Sequence, residues 1–385
     1  MQILLLALLC GAVMYSLLAM LAAWRYLASR PLKVCHCEPV SILKPIAGLD
    51  AGLGANLRTF FEQDYPRFEI LFAVRDASDP AVAIIEKLQR EYSRVESRLL
   101  ITGEPLYANA KVYSLERMLS EAAHDLVVMS DSDTRVTRGF LRAIVAEFQD
   151  PKLGIATCPY HALAGPGLWS RLEATGLNTD FLSGILMARM IEGMRFAIGP
   201  TIAARKAALQ AIGGMNKLKD HLAEDFVMGR LVSEAGFRVI LSSQVIEHHI
   251  GGGDWKETAA HRMRWARSTR RSRPLGYLGQ VFTMPAALAW LLLIAGPHWW
   301  PIAAIALAIR FTSARVVAKS VVNARVNWAL LAFEDLLAFA FWVAGFFGST
   351  IDWRGRLYRL HADGRFELMA EAAPGYVSRE ADARQ

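Results

Sequence analysis

Apolar positions follow two patterns along this chain. At both ends they form long blocks: Ile3 to Ala23, Val281 to Pro297, Trp299 to Ile309 with an extension through Phe311, and Trp328 to Gly348. From about Val40 to Gly253 they come in short runs alternating with helical periodicity. A charge-free run of about 20 apolar residues can cross a hydrocarbon core as a helix, so Ile3 to Ala23 is expected to span a membrane. A cleaved signal peptide would carry a basic segment first, whereas here no Lys or Arg precedes Arg25, and Arg25, Arg30 and Lys33 all follow. The positive-inside rule then puts the N-terminus outside and the next domain in the cytoplasm.

The C-terminal blocks are less regular. Arg310 and Arg315 cut the middle one short, which suits either a tilted span with snorkelling arginines or a re-entrant segment. Arg315, Lys319 and Arg325 favour pairing it with the last block as an out-and-back hairpin. Glu334 and Asp335 interrupt that last block, either packing helices with Arg310 or lying in an acceptor's path. The expected organisation is an anchor at 1–30, a cytoplasmic domain at 38–276, about three spans in 278–350 and a tail at 351–385. Four spans would leave the tail outside, against which Arg354, Arg356 and Arg359 argue.

In the central region Val40 to Ile46, Phe68 to Val74, Arg98 to Ile101 and Leu126 to Ser130 read as strands separated by helices. That alternation predicts an α/β domain with a mainly parallel sheet, whose ligands bind at the carboxyl ends of strands. A further strand is expected from Val239 to Glu247. The apolar stretch from about 181 to 195 suits a buried core helix or, as favoured here, an interfacial helix with its arginines among headgroups.

Of 385 residues 54% are apolar, and the net charge is +7, much of it in six arginines between Arg262 and Arg273 just before an apolar block. Without a ladder of exposed aromatics or a nucleic-acid module, this charge speaks for a membrane flank and against a nucleic-acid partner. The four cysteines, with Cys35-His36-Cys37 lacking a zinc-knuckle spacer, read as reduced thiols.

Acidic residues directly after strands are the candidate chemistry. Asp76 ends one strand, and Asp131 with Asp133 ends another. A carboxylate there can simply cap the next helix, a part for which Asp79 before Pro80 is better suited than Asp76. Two carboxylates held together make a hard-oxygen site for Mg²⁺ or Mn²⁺, which would bridge a diphosphate and neutralise a departing nucleotide. Asp225, in the first turn of a helix ending near Gly236, either complements the helix dipole or accepts the proton of an attacking acceptor hydroxyl, a displacement with inversion. On the helix after Gly253-Asp254, Arg264 offers a fork for phosphate and Trp265 a rigid wall, although such a pair beside a membrane is also an interface anchor.

Six segments occur in family order: Ser41-Ile-Leu-Lys-Pro45, Glu62-Gln-Asp-Tyr-Pro66, Val74-Arg-Asp-Ala-Ser-Asp-Pro80, Ser130-Asp-Ser-Asp133, Ala223-Glu-Asp225 and His261-Arg-Met-Arg-Trp265. Together they resemble the lipid-directed glycosyltransferases of GT-A fold, most closely the ceramide glucosyltransferase family, from about Val40 to Gly276. The resemblance implies that Asp76 contacts uridine, that Asp131 and Asp133 hold the metal, and that Asp225 is the general base. It sets Arg264 and Trp265 against the donor diphosphate and acceptor, and Lys111 near the donor. His261 departs from the family's Gln or Arg, leaving the acceptor open, and His248 or His249 could add a metal ligand or serve structurally. The implied partners are a UDP-sugar, a membrane lipid and the bilayer. Bacterial enzymes adding N-acetylglucosamine to hopanoid lipids share the motifs, and a polysaccharide synthase would need more spans. The segment from Trp353 to Tyr358 resembles a recurrent ending of these enzymes and has no derivable role.

Overall fold

The computed structural model describes residues 1–29, 37–353 and 356–370; expectations resting on Arg30, Lys33, Cys35, His36 and Arg354 lie outside them. Strands β1 (Val40–Pro45), β2 (Phe68–Val74), β3 (Glu96–Ile101) and β4 (Leu126–Ser130) fall where their apolar runs predict. They are followed by β5 (Thr134–Arg135), β6 (Leu153–Thr157), β7 (Tyr160–Leu163), β8 (Thr201–Arg205), β9 (Arg238–Leu241) and β10 (Ile246–His249). The main sheet has the order β3-β2-β1-β4-β8-β6-β9. Pairing is parallel except on both sides of β8.

Both faces are covered, which explains strands such as β2 and β4 whose apolar residues run consecutively rather than alternating with polar ones. Val40 and Ile42 of β1 enter one core with Leu57, Phe60 and Ile85, while Leu43 enters the other with Leu115, Met118 and Met228. Successive side chains point to opposite faces, so each strand serves both cores.

The single strand expected from Val239 to Glu247 is two. β9 ends the main sheet, and β10 joins a small sheet between β5 and β7. Ser242, Ser243 and Gln244 make the break: Ser243 N and Oγ donate to Glu147, and Gln244 N donates to Ser242 Oγ. These side chains give the backbone an alternative to the ladder.

The apolar helices also depart from expectation. Among the described residues Gln2–Leu27 and Pro297–Val322 are long and apolar enough to cross a membrane, or three segments if the bent pair Pro274–Thr283 and Pro285–Ala295 counts as one, against the four expected. The 65° bend in that pair falls at Pro285, which lacks an N–H and holds Met284 outside the helical region. Arg310 does not cut its helix short. Its side chain is buried, donating to Asp335 at 2.8 Å and pairing with Asp180, so the helix Trp300–Val322 continues past it. Glu334 pairs with Arg262 (2.7 Å) rather than with Arg310.

Gln2 Nε2 donates to Ala295 O at 2.7 Å, joining the helix ends remote from the α/β domain. At the opposite ends Ala19, Ala22, Tyr26, Val317 and Val321 belong to the core of the α/β domain. The helix Leu182–Glu192 buries Leu182, Ile185 and Leu186, and its Arg189 lies 5.5 Å over the Tyr26 ring. The tail forms β11 (Thr350–Trp353), β12 (Arg356–Leu360) and β13 (Phe366–Ala370), docked on the catalytic side, where Phe366 N donates to Asp220 O at 2.9 Å. The tail thus lies on the same side as the α/β domain.

Candidate active site

The carboxyl ends of β1 and β4 meet beneath a pocket lined by Lys111, Asp131, Gly199, Glu224, Asp225 and neighbouring apolar residues. Lys44, fully buried on β1, fixes its floor by donating to Asp131 O, to Ser130 Oγ (3.3 Å) and to Thr134 Oγ1 (3.2 Å). Burial holds its ammonium down at about 7, against the pull of Asp131. The loop between β4 and β5 is thereby tied at the backbone, leaving the Asp131 and Asp133 side chains projecting from it.

Lys111 comes from the helix Ala110–Glu121, whose N-cap Asn109 accepts from Val112 N. Asn109 Nδ2 also donates to His221 O at 2.9 Å, linking this helix to the one carrying Glu224 and Asp225. Lys111 Nζ stands 2.7 Å from Asp131 Oδ1 and 3.3 Å from Glu224 Oε1. Burial, followed by the Glu224 charge, pushes the Asp225 carboxyl up to about 7, where it can take a proton near neutrality. Gly199 has no side chain for a reason: a Cβ there would lie 3.0 Å from Asp225 Oδ2.

Asp133 faces His248, with Oδ1 3.3 Å from Nδ1, while His249 N donates to Asp133 O at 2.8 Å. Burial opposes the Asp133 charge, but the His248 and Lys44 cations hold the carboxyl below its usual range. His249 instead contacts Glu247 at 2.9 Å. Among the described residues no three His, Cys, Asp or Glu side chains are grouped to hold a metal alone. Two carboxylates still fit Mg²⁺ or Mn²⁺ arriving with a diphosphate, since Mg²⁺ usually takes one or two carboxylates plus substrate phosphates. Asp133 Oδ1 is buried with the approach of His248 Nδ1 at 3.3 Å but no well-formed hydrogen bond, which leaves a lone pair such an ion would use.

Rings lead away from His248. Tyr160 lies 5.3 Å from it, Phe181 5.5 Å from Tyr160, Trp265 5.4 Å from Phe181, and His261 5.4 Å from Trp265. His261 Nδ1 ends the path 2.8 Å from Glu173 Oε1. Phe181 closes a turn of π-helix, Leu177–Phe181, whose Asp180 pairs with Arg310 of the apolar helix. One turn therefore links the site to the apolar helix Trp300–Val322.

The structure brings Lys111, Asp131, Asp133 and Asp225 together, and Trp265 and His261 to the far end of the aromatic path. Arg264, on another face of the same helix, sits 5.7 Å over the Trp353 ring, which gives the tail segment a contact. Asp76 is exposed at the end of β2, accepting from Ser78 N (2.7 Å) and Oγ (2.6 Å), while Asp79 accepts from Ala81 N at 2.9 Å as the cap. Lys44, Glu224, Glu173, Tyr160 and Phe181 had no role in the sequence reading. Lys44 and Glu224 had a signal, each lying inside one of the six motif segments, Ser41 to Pro45 and Ala223 to Asp225.

The profile of glycosyl transferase family 21 matches residues 4–366. Ceramide glucosyltransferase 1 of Caenorhabditis elegans is 28% identical over 205 residues, 53% of this chain and 44% of that protein, so the chain matches less than half that relative's length. An N-acetylglucosaminyltransferase of Rhizobium meliloti is 22% identical over 314 residues, 72% of each chain. In fold the chain is similar to a mannosyltransferase of Pyrobaculum calidifontis solved with GDP-Man and Mn²⁺, at TM-score 0.56 and 18% identity, covering 90% of this chain and 97% of that one. The mostly parallel sheet is thus that of a GT-A glycosyltransferase, and the chain belongs to glycosyl transferase family 21.

Proposed function

We propose that this protein moves a hexose from a UDP-sugar to the hydroxyl of a membrane lipid with inversion, glucose to ceramide being the first assignment. The observation that carries the reading is the pocket at the strand ends, where Asp225, a half-buried carboxylate near neutrality in its proton affinity, lies in the field of Lys111, which pairs with Asp131 and Glu224. Asp225 accepts the acceptor hydroxyl's proton as that oxygen attacks the anomeric carbon and the bond to the diphosphate breaks on the opposite face. Lys111 places positive charge beside the departing diphosphate. A divalent cation held by Asp131 and Asp133 would supply further neutralisation of that charge. Asp76 is assigned to the uridine, Arg264 to the diphosphate, and Trp265 with His261 to the acceptor wall.

In this reading Gln2–Leu27, the bent pair and Pro297–Val322 make three crossings, with Trp328–Gly345 along the junction and the catalytic domain in the cytoplasm. Glu334 and Asp335 support that placement, being buried against Arg262 and Arg310 rather than facing lipid. The match to the Rhizobium protein over more of the chain favours N-acetylglucosamine as the second donor sugar. Purified protein in nanodiscs, given UDP-glucose or UDP-N-acetylglucosamine, Mg²⁺ or Mn²⁺ and a lipid panel, should release UDP with one combination. No release with any would refute the reading.

A further inference from the structure

A second cleft lies behind the helix that carries Asp225. At 100° per residue Glu224, Asp225 and Met228 share one arc of the helix Glu224–Glu234 and line the acidic pocket, whereas Phe226, Val227 and Arg230 occupy the opposite arc. That opposite arc forms one wall of a cleft of about 390 Å³, completed by His221, Arg271 and the tail residues Asp363 and Arg365. The two pockets share no lining residue.

Its charge is of the other sign. Three arginines converge on the cleft, and its one lining carboxylate, Asp363, lies 3.3 Å from Arg365 Nε, while Glu234, outside the lining, stands 3.9 Å from Arg230 Nε. His221 Nδ1 and Arg271 Nε are buried there without any hydrogen-bond partner. A buried polar atom left unpaired is costly, so two in one basic cleft point to an occupant that accepts hydrogen bonds. Arginine forks match phosphate oxygens in geometry and charge. Ser272 and Arg271 end the helix Trp255–Ser272, directly before the bent apolar pair that begins at Pro274. The cleft therefore opens beside the membrane-entry end of the chain.

We propose that this cleft binds a phosphate group, separately from the donor pocket and independently of the sugar-transfer reading. Its two chemical sources are a phospholipid headgroup and free phosphate. Full-length protein in phosphatidylcholine nanodiscs is melted with increasing inorganic phosphate against chloride at matched ionic strength, and again in nanodiscs in which phosphatidate replaces part of the phosphatidylcholine. Either ligand should raise Tm saturably. A rise with phosphate assigns a free anion, and a rise with phosphatidate alone assigns the headgroup. Arg271→Gln should weaken the effective ligand about tenfold, the loss of one charge-assisted pair. Arg230→Gln, at an exposed position that leaves packing intact, should weaken it in the same direction, and Lys87→Gln on the helix Ala81–Glu91 should not. No Tm shift with either ligand, or equal shifts in wild type and both arginine variants, would overturn the proposal.

Discussion

Replacing Lys111 by methionine keeps the length of the side chain and removes the cation among Asp131, Glu224 and Asp225. A Cβ built on Gly199 would stand 3.0 Å from Asp225 Oδ2 and 3.8 Å from Lys111 Nζ, so the two groups lie within about 7 Å. At an effective dielectric constant of about 20 that separation gives roughly 2.5 kcal/mol, or nearly two pH units of proton affinity. Lys111 lowers the Asp225 pKa, and burial and Glu224 raise it to about 7. Without Lys111 the carboxyl should hold its proton to higher pH. A base works only when deprotonated, so the acidic limb of kcat/KM for the acceptor should move alkaline by one to two units, approaching wild-type rates above it if the cation has no other part. UDP release with limiting acceptor, measured from neutral to alkaline pH, follows the limb directly. A limb that stays in place, or moves toward acid, would refute the electrostatic account of Asp225.

Other outcomes follow from the same geometry. Asp131→Asn should weaken UDP-sugar binding in Mg²⁺ or Mn²⁺ at least tenfold by titration calorimetry, with little change under chelation, because half of the carboxylate pair is gone; equal wild-type affinity with and without cation would remove the metal claim. Asp335→Asn leaves Arg310 buried with only Asp180, and breaking such a pair costs about 3–5 kcal/mol, read as a clear fall in Tm. Gly229→Ala sets a Cβ 2.2 Å from Ala197 N, forcing the Asp225 helix off its support, at about 1–3 kcal/mol or more in chemical denaturation.

Sequence periodicity reached β1 to β4 but neither β6 nor β8 of the main sheet, because the first four are local objects: an apolar run such as Val127 to Met129 announces itself. The aspartates were legible for the same reason, each following a strand or opening a helix. What joins them was not. Lys44 reaches Thr134 across 90 positions, and Phe181 reaches Trp265 through a π-helical turn that no periodicity marks. The break between β9 and β10 depends on Glu147, nearly 100 residues earlier, accepting from Ser243. Arginines in an apolar block argue against a continuous helix until their distant carboxylates are known, as with Arg310, Asp180 and Asp335. Gly199 and Gly229 show only in three dimensions why no side chain fits.

The central claim is that Asp225 is the base of a sugar transfer, and Asp225→Asn tests it most directly, in nanodiscs with the lipid and UDP-sugar that the wild type consumes. The account predicts unchanged donor binding and a turnover about 10² to 10⁴ lower. Turnover within tenfold of wild type would contradict it.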